Sequence, residues 1–439
     1  MAATDADSTG LAAAAPAAHS TRRQQVYAVV VLLAIYACHS IDRGIAGIVM
    51  EPIRKEFGAS DAQLGLITLT YTLAFMAAMV PVGVLIDRKR RIRLLAVLVT
   101  IWSACTALAG LAGSLPALMA ARAGVGAAEA GGHPTSMSLI SDIVPKERRG
   151  TSVGLFYVAT GIGSIVVFLV GGYVAANYGW RATFFMAGVP GLLLALLALA
   201  TVREPVRGAQ EAVAPDADAK APPLSQVLKF MVTTPAVANM AIAAMLASSV
   251  NSSFHIWLAS FLMRNHHLDL KQVGLVGALG PGVLQACGAL ASGFIGDWLA
   301  RRHPHRVGYA ATVAIFLMAP LGMAYSQTPS LPLAITLVSI MGFCAGSWMA
   351  PTFTLLIAIT APRMRGVVIG VVQMLAAAGS GFGPVVVGLI SDQLGGQIHT
   401  ALTIGLGVAA WAALHSFIAV RASRRLLTAD GARVSETTP

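Results

Sequence analysis

The sequence predicts an all-α membrane protein, with twelve transmembrane helices arranged as two pseudo-symmetric six-helix bundles. Of its 439 residues, 56% are hydrophobic and only 11% are charged, whereas a soluble globular chain carries roughly 25% charged residues. The charges separate apolar stretches of about the length that crosses a bilayer, roughly 20 residues. Features of the first half also recur in the second. This composition excludes a soluble enzyme, a disordered protein and a nucleic-acid-binding protein.

Charge-free stretches mark the spans in order. They cover 62–86, 94–121, 150–180, 182–202, 230–263, 272–296, 307–362 and 393–420. Polar turns at 113–116 and 326–330 divide two of them, and interrupted stretches lie around 25–48 and 115–141, so we count twelve spans. The first span follows a polar segment and ends in no cleavage-site pattern, which favours a retained helix over a signal peptide.

Lysine and arginine residues orient the spans. The loops and tails on one side of the predicted membrane hold 23 of them, and those on the other side hold 5. Positive residues concentrate on the cytoplasmic side of membrane proteins, so both termini are predicted to be cytoplasmic. The net charge of +11 is therefore a topology signal with some attraction to anionic lipid. Short loops favour a bacterial inner membrane.

The two halves of the chain repeat. Three residues recur 210 positions later, in the pairs Gly83 and Gly293, Asp87 and Asp297, and Arg91 and Arg301. The predicted division is a tail at 1–24, a bundle at 25–202, a linker at 203–229, a bundle at 230–421 and a tail at 422–439. Substrate sites of repeated transporters lie near the midplane between the halves. We expect a monomer.

Two motifs resemble those of a known family. The run GVLIDRKRR from Gly83 to Arg91 resembles the loop motif between helices 2 and 3 of the major facilitator superfamily. The run RAGVGAAE from Arg122 to Glu129 resembles its fourth-helix motif. With the Asp-Arg pair at 42–43, the pattern is similar to the spinster-type branch and covers about 25–420. Anion–cation symporters carry similar residues, so small organic anions remain an alternative.

The resemblance implies a transporter working by alternating access, with lipid-type substrates. It also implies that Asp87, Arg88 and Arg91 brace a gate on the cytoplasmic side. Asp297 and Arg301 are then the counterparts in the second half.

Four charges lie inside the predicted spans, all in the first half: Asp42, Arg43, Arg122 and Glu129. Each costs about 2.5–3.5 kcal/mol at mid-membrane, so each needs a partner or a watery cavity. We predict a proton-coupling pair, Glu129 and Asp42. The alternative is a static ion-pair lock between helices 1 and 4.

The same cluster is predicted to bind an anionic group of the substrate. Arg122 and Glu129, seven residues apart, share one face of helix 4, which His133 extends, and His39 lies one turn before Arg43. The predicted anion-binding residues are Arg43, Arg122, His39 and His133.

The second half has no charge inside its spans. Its candidate substrate-binding residues are Asn251, His255, Trp257, Trp348 and Gln373. A charged wall facing an apolar and aromatic one suits an amphiphile. We therefore expect a proton-coupled transporter of an anionic amphiphile such as a lysophospholipid or sphingolipid-like molecule. The alternatives are a proton-coupled symporter of small organic anions such as sugar acids, and a non-transporting receptor. No enzyme chemistry, metal or cofactor is indicated beyond the proton gradient.

Overall fold

The structure is a computed structural model. It describes residues 21–145, 161–207, 223–302, 306–361 and 363–436, together with Ser152, Leu155 and Ala159, with the side chains of 425 and 427–436 left out. Most of the predicted N-terminal tail, and positions 208–222 of the predicted linker, lie outside the described residues.

The described chain is helical throughout its spans. The membrane-spanning helices are α1 (Arg22–Phe57), α2 (Asp61–Arg88), α3 (Arg91–Ala109), α4 in two segments (Leu115–Glu129 and Gly132–Ile143), α5 (Gly161–Tyr178), α6 (Trp180–Thr201), α7 (Pro235–Asn265), α8 (Leu270–Arg302), α9 (Val307–Gln327), α10 (Leu331–Ile359), α11 (Arg365–Gln393) and α12 (Ile398–Glu436). A shorter helix, Leu224–Thr233, precedes α7. Eleven helices of the described residues are long and apolar enough to cross a membrane. The two segments of α4 make the twelfth crossing, which confirms the predicted all-α membrane fold.

Local sequence signals set the ends of these helices. Thr21 and Ser60 start α1 and α2 with capping boxes, in which each hydroxyl accepts from the backbone of a glutamine three residues later. Such caps satisfy N–H groups that the first turn leaves unpaired. Gly58 ends α1 with φ of 61°, and Gly179 joins α5 to α6 with φ of 83°. Both values favour glycine, which has no Cβ to clash.

The structure repeats as the sequence predicts. Helix α10 begins and ends 216 positions after the two-segment α4, and α9 begins 216 positions after α3. Both α4 and α10 are interrupted, at 130–131 and at Trp348. One turn of π-helix interrupts α5 at Val167–Gly171 and α8 at Ala278–Gly282.

The two faces of the bundle differ in how closely the halves meet. Twelve crossings put both chain ends on one side, which we call the terminal face, and we call the other the distal face. On the distal face, a Cβ added to Gly65 of α2 would lie 2.7 Å from the Cα of Val385 in α11. On the terminal face, a Cβ added to Gly83 or Gly370 of the same helices would meet no described atom within 4 Å. The halves are therefore closed distally and open towards the terminal face.

Substituting Gly65 by valine is expected to open the distal face, because the added side chain has no room against α11. The distance between spin labels at Gln63 and Gln393, in a background without native cysteines, should increase by several ångströms. The matched variant Gly83→Val should leave that distance unchanged, since its side chain enters open space. A folded Gly65→Val protein with the wild-type distance would contradict the closed distal packing.

Candidate functional site

Three helices of the first half meet at Glu129, the last residue of the first α4 segment. The Tyr71 hydroxyl from α2 donates to its Oε2 at 2.5 Å. The Nδ1 atom of His39, from α1, lies 3.2 Å from the same oxygen. Glu129 is 1% exposed, so these contacts replace the hydration that burial removes. Tyr36 stacks on the His39 ring at 5.3 Å and lies 5.8 Å from the His133 ring.

Asp42 is fully buried beside this group. Neither of its carboxylate oxygens accepts a hydrogen bond from any described residue. Arg122, which is 3% exposed, and Glu129 both lie within electrostatic range of Asp42. The Nε and Nη1 atoms of Arg122 are also buried without a hydrogen-bond partner among the described residues. The predicted charges therefore do come together, as a cluster held by electrostatics more than by hydrogen bonds.

Arg43 differs from its neighbour Asp42 in being exposed. Its guanidinium lies 5.9 Å from the centre of the Tyr71 ring, which places it inside the bundle, and Arg122 lies 5.1 Å from the same ring. Arg43 has no ion pair with any described residue. An exposed guanidinium inside a membrane-spanning bundle, with no counter-charge among the described residues, makes Arg43 a candidate residue for binding an anion.

Tyr71 was not predicted from the sequence. Its ring lies close to both arginines and its hydroxyl binds Glu129, so one side chain joins Arg43 and Arg122 to Glu129. A tyrosine in an apolar span gives no charge signal by itself. The one sequence clue is that an interior tyrosine hydroxyl usually needs a partner.

The residues predicted in the second half separate into two groups. Asn251 and His255 of α7 are half-buried and Gln373 of α11 is exposed. Trp257 and Trp348 are 0% and 1% exposed and lie in the packed core, where the Trp257 indole donates to the Pro384 carbonyl at 3.1 Å. In this conformation the two tryptophans join helices and do not line a cavity.

An ionic cluster closes the distal face. Arg264, at the end of α7, donates to both carboxylate oxygens of Asp61 at 2.7 Å and to Glu51 at 2.8 Å. The Ser391 hydroxyl donates to Asp61 at 2.6 Å. The Asp392 carboxylate accepts from the first two N–H groups of α2, at 2.8 and 2.9 Å. We call these five residues the distal lock, since they join α1 and α2 of the first half to α7 and α11 of the second.

The distal lock was not predicted from the sequence, in which Arg264 serves only as an orientation signal. Acidic residues at the distal ends of three helices were a weak clue to it. Their partners in the lock lie more than 200 residues away along the chain, although Glu51 also pairs with Arg54 three residues on.

The predicted gate residues lie on the terminal face, where the halves are apart. Asp87, Arg88, Asp297 and Arg301 are exposed, and no ion pair joins any of them to another described residue. Arg91 is buried and pairs within the first half, with Asp142 at 2.5 Å and Glu204 at 3.3 Å.

The first residues of the predicted linker hold the loop between α2 and α3. Glu204 accepts from the backbone N–H groups of Arg91 and Ile92 at the start of α3. Arg207 donates to three carbonyls at the end of α2, those of Ile86, Asp87 and Lys89. An acid at a helix N-terminus and a base at a C-terminus each complement the helix dipole. Positions 204–207 are thus part of the first bundle's structure.

A membrane protein of two repeated six-helix halves, closed on one face and open on the other around buried charges, is a transporter of the alternating-access type. The chain belongs to the Major Facilitator Superfamily, whose family model matches residues 32–384 and, again, 258–435. This confirms the predicted superfamily.

Several individual proteins are similar to the chain. The chain is 27% identical over 389 residues to a probable L-galactonate transporter of Escherichia coli, covering 85% of each chain. It is 23% identical over 422 residues to a probable galactarate/D-glucarate transporter of Bacillus subtilis, covering 89% of this chain and 90% of that one. It is also similar to the crystal structure of a bacterial homologue of the human lysosomal transporter spinster, in an inward-facing and unoccupied conformation. That likeness has 25% identity and a TM-score of 0.81, and covers 93% and 99% of the two chains. The predicted likeness to the spinster branch is confirmed.

Replacing Arg264 by glutamine is expected to destabilise the closed distal face, because Asp61 would lose its counter-charge and Glu51 would keep only Arg54, 3.0 Å away in its own half. Removing one partner of a buried pair costs about 3–5 kcal/mol, and we expect somewhat less here since Arg264 is 16% exposed. Hydrogen exchange at the start of α2 should accelerate. Arg181→Gln is the control, since its pair with Glu56 is about 40% exposed and worth about 0–1 kcal/mol. Equal hydrogen-exchange rates in the two variants would contradict a stabilising role for the distal lock.

Proposed function

We propose that this protein is a proton-coupled symporter of small organic anions, such as sugar acids and related carboxylates. The observation that carries the proposal is Arg43, an exposed and unpaired guanidinium at the centre of the bundle, which is suited to a carboxylate. The similarity to the galactonate and galactarate/glucarate transporters, which align along most of the chain, supports this substrate class. It is the alternative that the sequence left open.

A lipid-like anion is the second candidate. The similarity to the spinster homologue favours it. The geometry of the second half does not, because the amphiphile prediction relied on an aromatic wall. Trp257 and Trp348 are buried in helix contacts instead of forming such a wall. We therefore rank the small anion first.

The charge balance of the cluster explains how a proton and an anion are coupled. An ionised carboxylate without a hydrogen-bond donor is costly in a buried site, so we place the transported proton on Asp42 in this conformation. Arg43 and Arg122 then outnumber the remaining acid, Glu129, and the cluster carries one net positive charge. An anion at Arg43 neutralises it. Proton binding thereby favours anion binding, as symport requires.

We propose that the terminal face is cytoplasmic, so the described state is open to the cytoplasm. The excess of positive residues in the loops and tails of that face supports this orientation. The inward-facing conformation of the similar spinster homologue agrees with it. Together with the bacterial relatives, this supports a bacterial inner membrane as the location.

Replacing Arg43 by glutamine is expected to abolish uptake of galactonate into reconstituted vesicles with a pH gradient. The fold should be retained, since the guanidinium makes no ion pair. Arg93→Gln, at an exposed arginine near the terminal face, should transport normally. Full uptake by Arg43→Gln would refute the anion site. Wild-type uptake of a lysophospholipid, with no uptake of galactonate, galactarate or muconate, would select the lipid candidate.

Replacing Asp42 by asparagine is expected to separate proton-driven accumulation from anion exchange. Asparagine is neutral, as the protonated Asp42 is, but cannot release a proton, so pH-driven accumulation should be lost while anion counterflow persists. Glu56→Gln, on the distal surface, should retain both activities. An Asp42→Asn protein that still accumulates substrate against its gradient would exclude Asp42 from coupling.

A further inference from the structure

A polar face of α7 lies opposite Arg43, across the interface between the halves. Gly47, one turn after Arg43 on the same face of α1, packs against α7, and an added Cβ would lie 3.1 Å from the His255 carbonyl oxygen. Both helices run from the terminal face to the distal face. One turn earlier in each helix, Arg43 precedes Gly47 and Asn251 precedes His255, so Asn251 is level with Arg43.

Both side chains on this face lack partners. Asn251 Oδ1 and His255 Nε2 are buried and make no hydrogen bond with a described residue. Each residue as a whole is half-buried, so another part of each residue is accessible. Burying such a group without a partner is unfavourable, and each one in a native structure calls for an explanation.

A purely structural role does not explain these two residues. Asn239, on the same helix, shows what that role looks like here. Its amide donates to the Pro235 carbonyl at 2.9 Å, and its oxygen lies 2.7 Å from His415 Nδ1. Asn251 and His255 have no equivalent contacts. An amide and an imidazole both donate and accept hydrogen bonds, and so does an alcohol.

We infer that Asn251 and His255 form a hydroxyl-recognition subsite, which makes the transporter select polyhydroxylated carboxylates over unsubstituted ones. The inference rests on the proposed function, in which Arg43 holds the carboxylate. With the carboxylate at Arg43, the carbon chain of the substrate extends towards α7. Its hydroxyl groups then form hydrogen bonds with the unpaired atoms of these two residues. An alkyl chain would leave those atoms without hydrogen bonds, and this free-energy cost disfavours the binding of unsubstituted carboxylates. Sites built to bind a hydroxyl reject analogues that lack it more strongly than apolar pockets reject an added group.

Galactarate and adipate test this subsite. They are six-carbon dicarboxylates that differ only in their hydroxyl groups, and neither crosses a bilayer readily at neutral pH. The measurement is the Kd of each for the full-length protein in detergent. Wild type is expected to prefer galactarate, and Asn251→Leu and His255→Leu should each reduce that preference at least about tenfold. The affinity for adipate should be unchanged or higher, because Arg43 is intact and leucine removes the polar atoms that adipate leaves unpaired.

Two further variants keep the test decisive. His255→Gln retains a donor and an acceptor and should keep most of the preference, which a packing defect would not allow. Asn239→Leu removes a satisfied amide of the same helix, and should leave the ratio of the two Kd values at the wild-type level.

The two failures are distinguishable. Wild-type binding of both acids, with a ratio that neither leucine variant changes, would overturn the subsite and leave the proposed function standing. Failure of wild type to bind galactarate, adipate or galactonate would overturn the proposed function and the subsite with it. Loss of binding of both acids in Arg43→Gln confirms that the compared ligands share the carboxylate site.

Discussion

A charge removed from water needs a partner, and this constraint decides where the two halves of the molecule meet. On the distal face, Arg264 of the second half pairs with Glu51 and Asp61 of the first. The Asp392 carboxylate accepts hydrogen bonds from the first N–H groups of α2. On the terminal face, Asp87 and Asp297 remain in water and need no partner. The closed face is thus the one on which opposite charges from the two halves form ion pairs.

The backbone makes this closure possible. An ion pair across the halves requires the helices to approach closely, and glycines at Gly65 and Gly388 of α2 and α11 allow that approach, with Gly388 in contact with the Asp61 carbonyl. A second interface closes without charge, where a Cβ added to Gly172 of α5 would lie 2.9 Å from the Cα of Gly274 in α8. Small residues thus allow close contact at both interfaces, as they do between membrane helices generally. Ion pairs contribute to only one of the two, the interface that contains the distal lock.

The sequence predicts what depends on local pattern and on single costly residues. Span length and charge placement predict the twelve helices, and Asp42 and Glu129 stand out because intramembrane charge is rare. Tyr71 was missed because its importance comes from three neighbours on other helices, not from its own chemistry. Arg264 was missed for the same reason. Trp257 is the opposite case. Its residue type suggested a substrate-binding surface, but its ring is buried in the core.

The division of chemistry between the halves follows from the same constraint. Every charge of the central cluster, and Tyr71 with it, belongs to the first half, and the second half offers Asn251 and His255, which are neutral groups when the imidazole is unprotonated. When the halves move apart at mid-membrane, no buried ion pair has to break there. The ion pairs that join the two halves lie in the distal lock, at the ends of the helices. In the proposed mechanism the first half therefore holds the charge of the substrate and the second contributes hydrogen bonds, so that the halves can separate without breaking the central cluster.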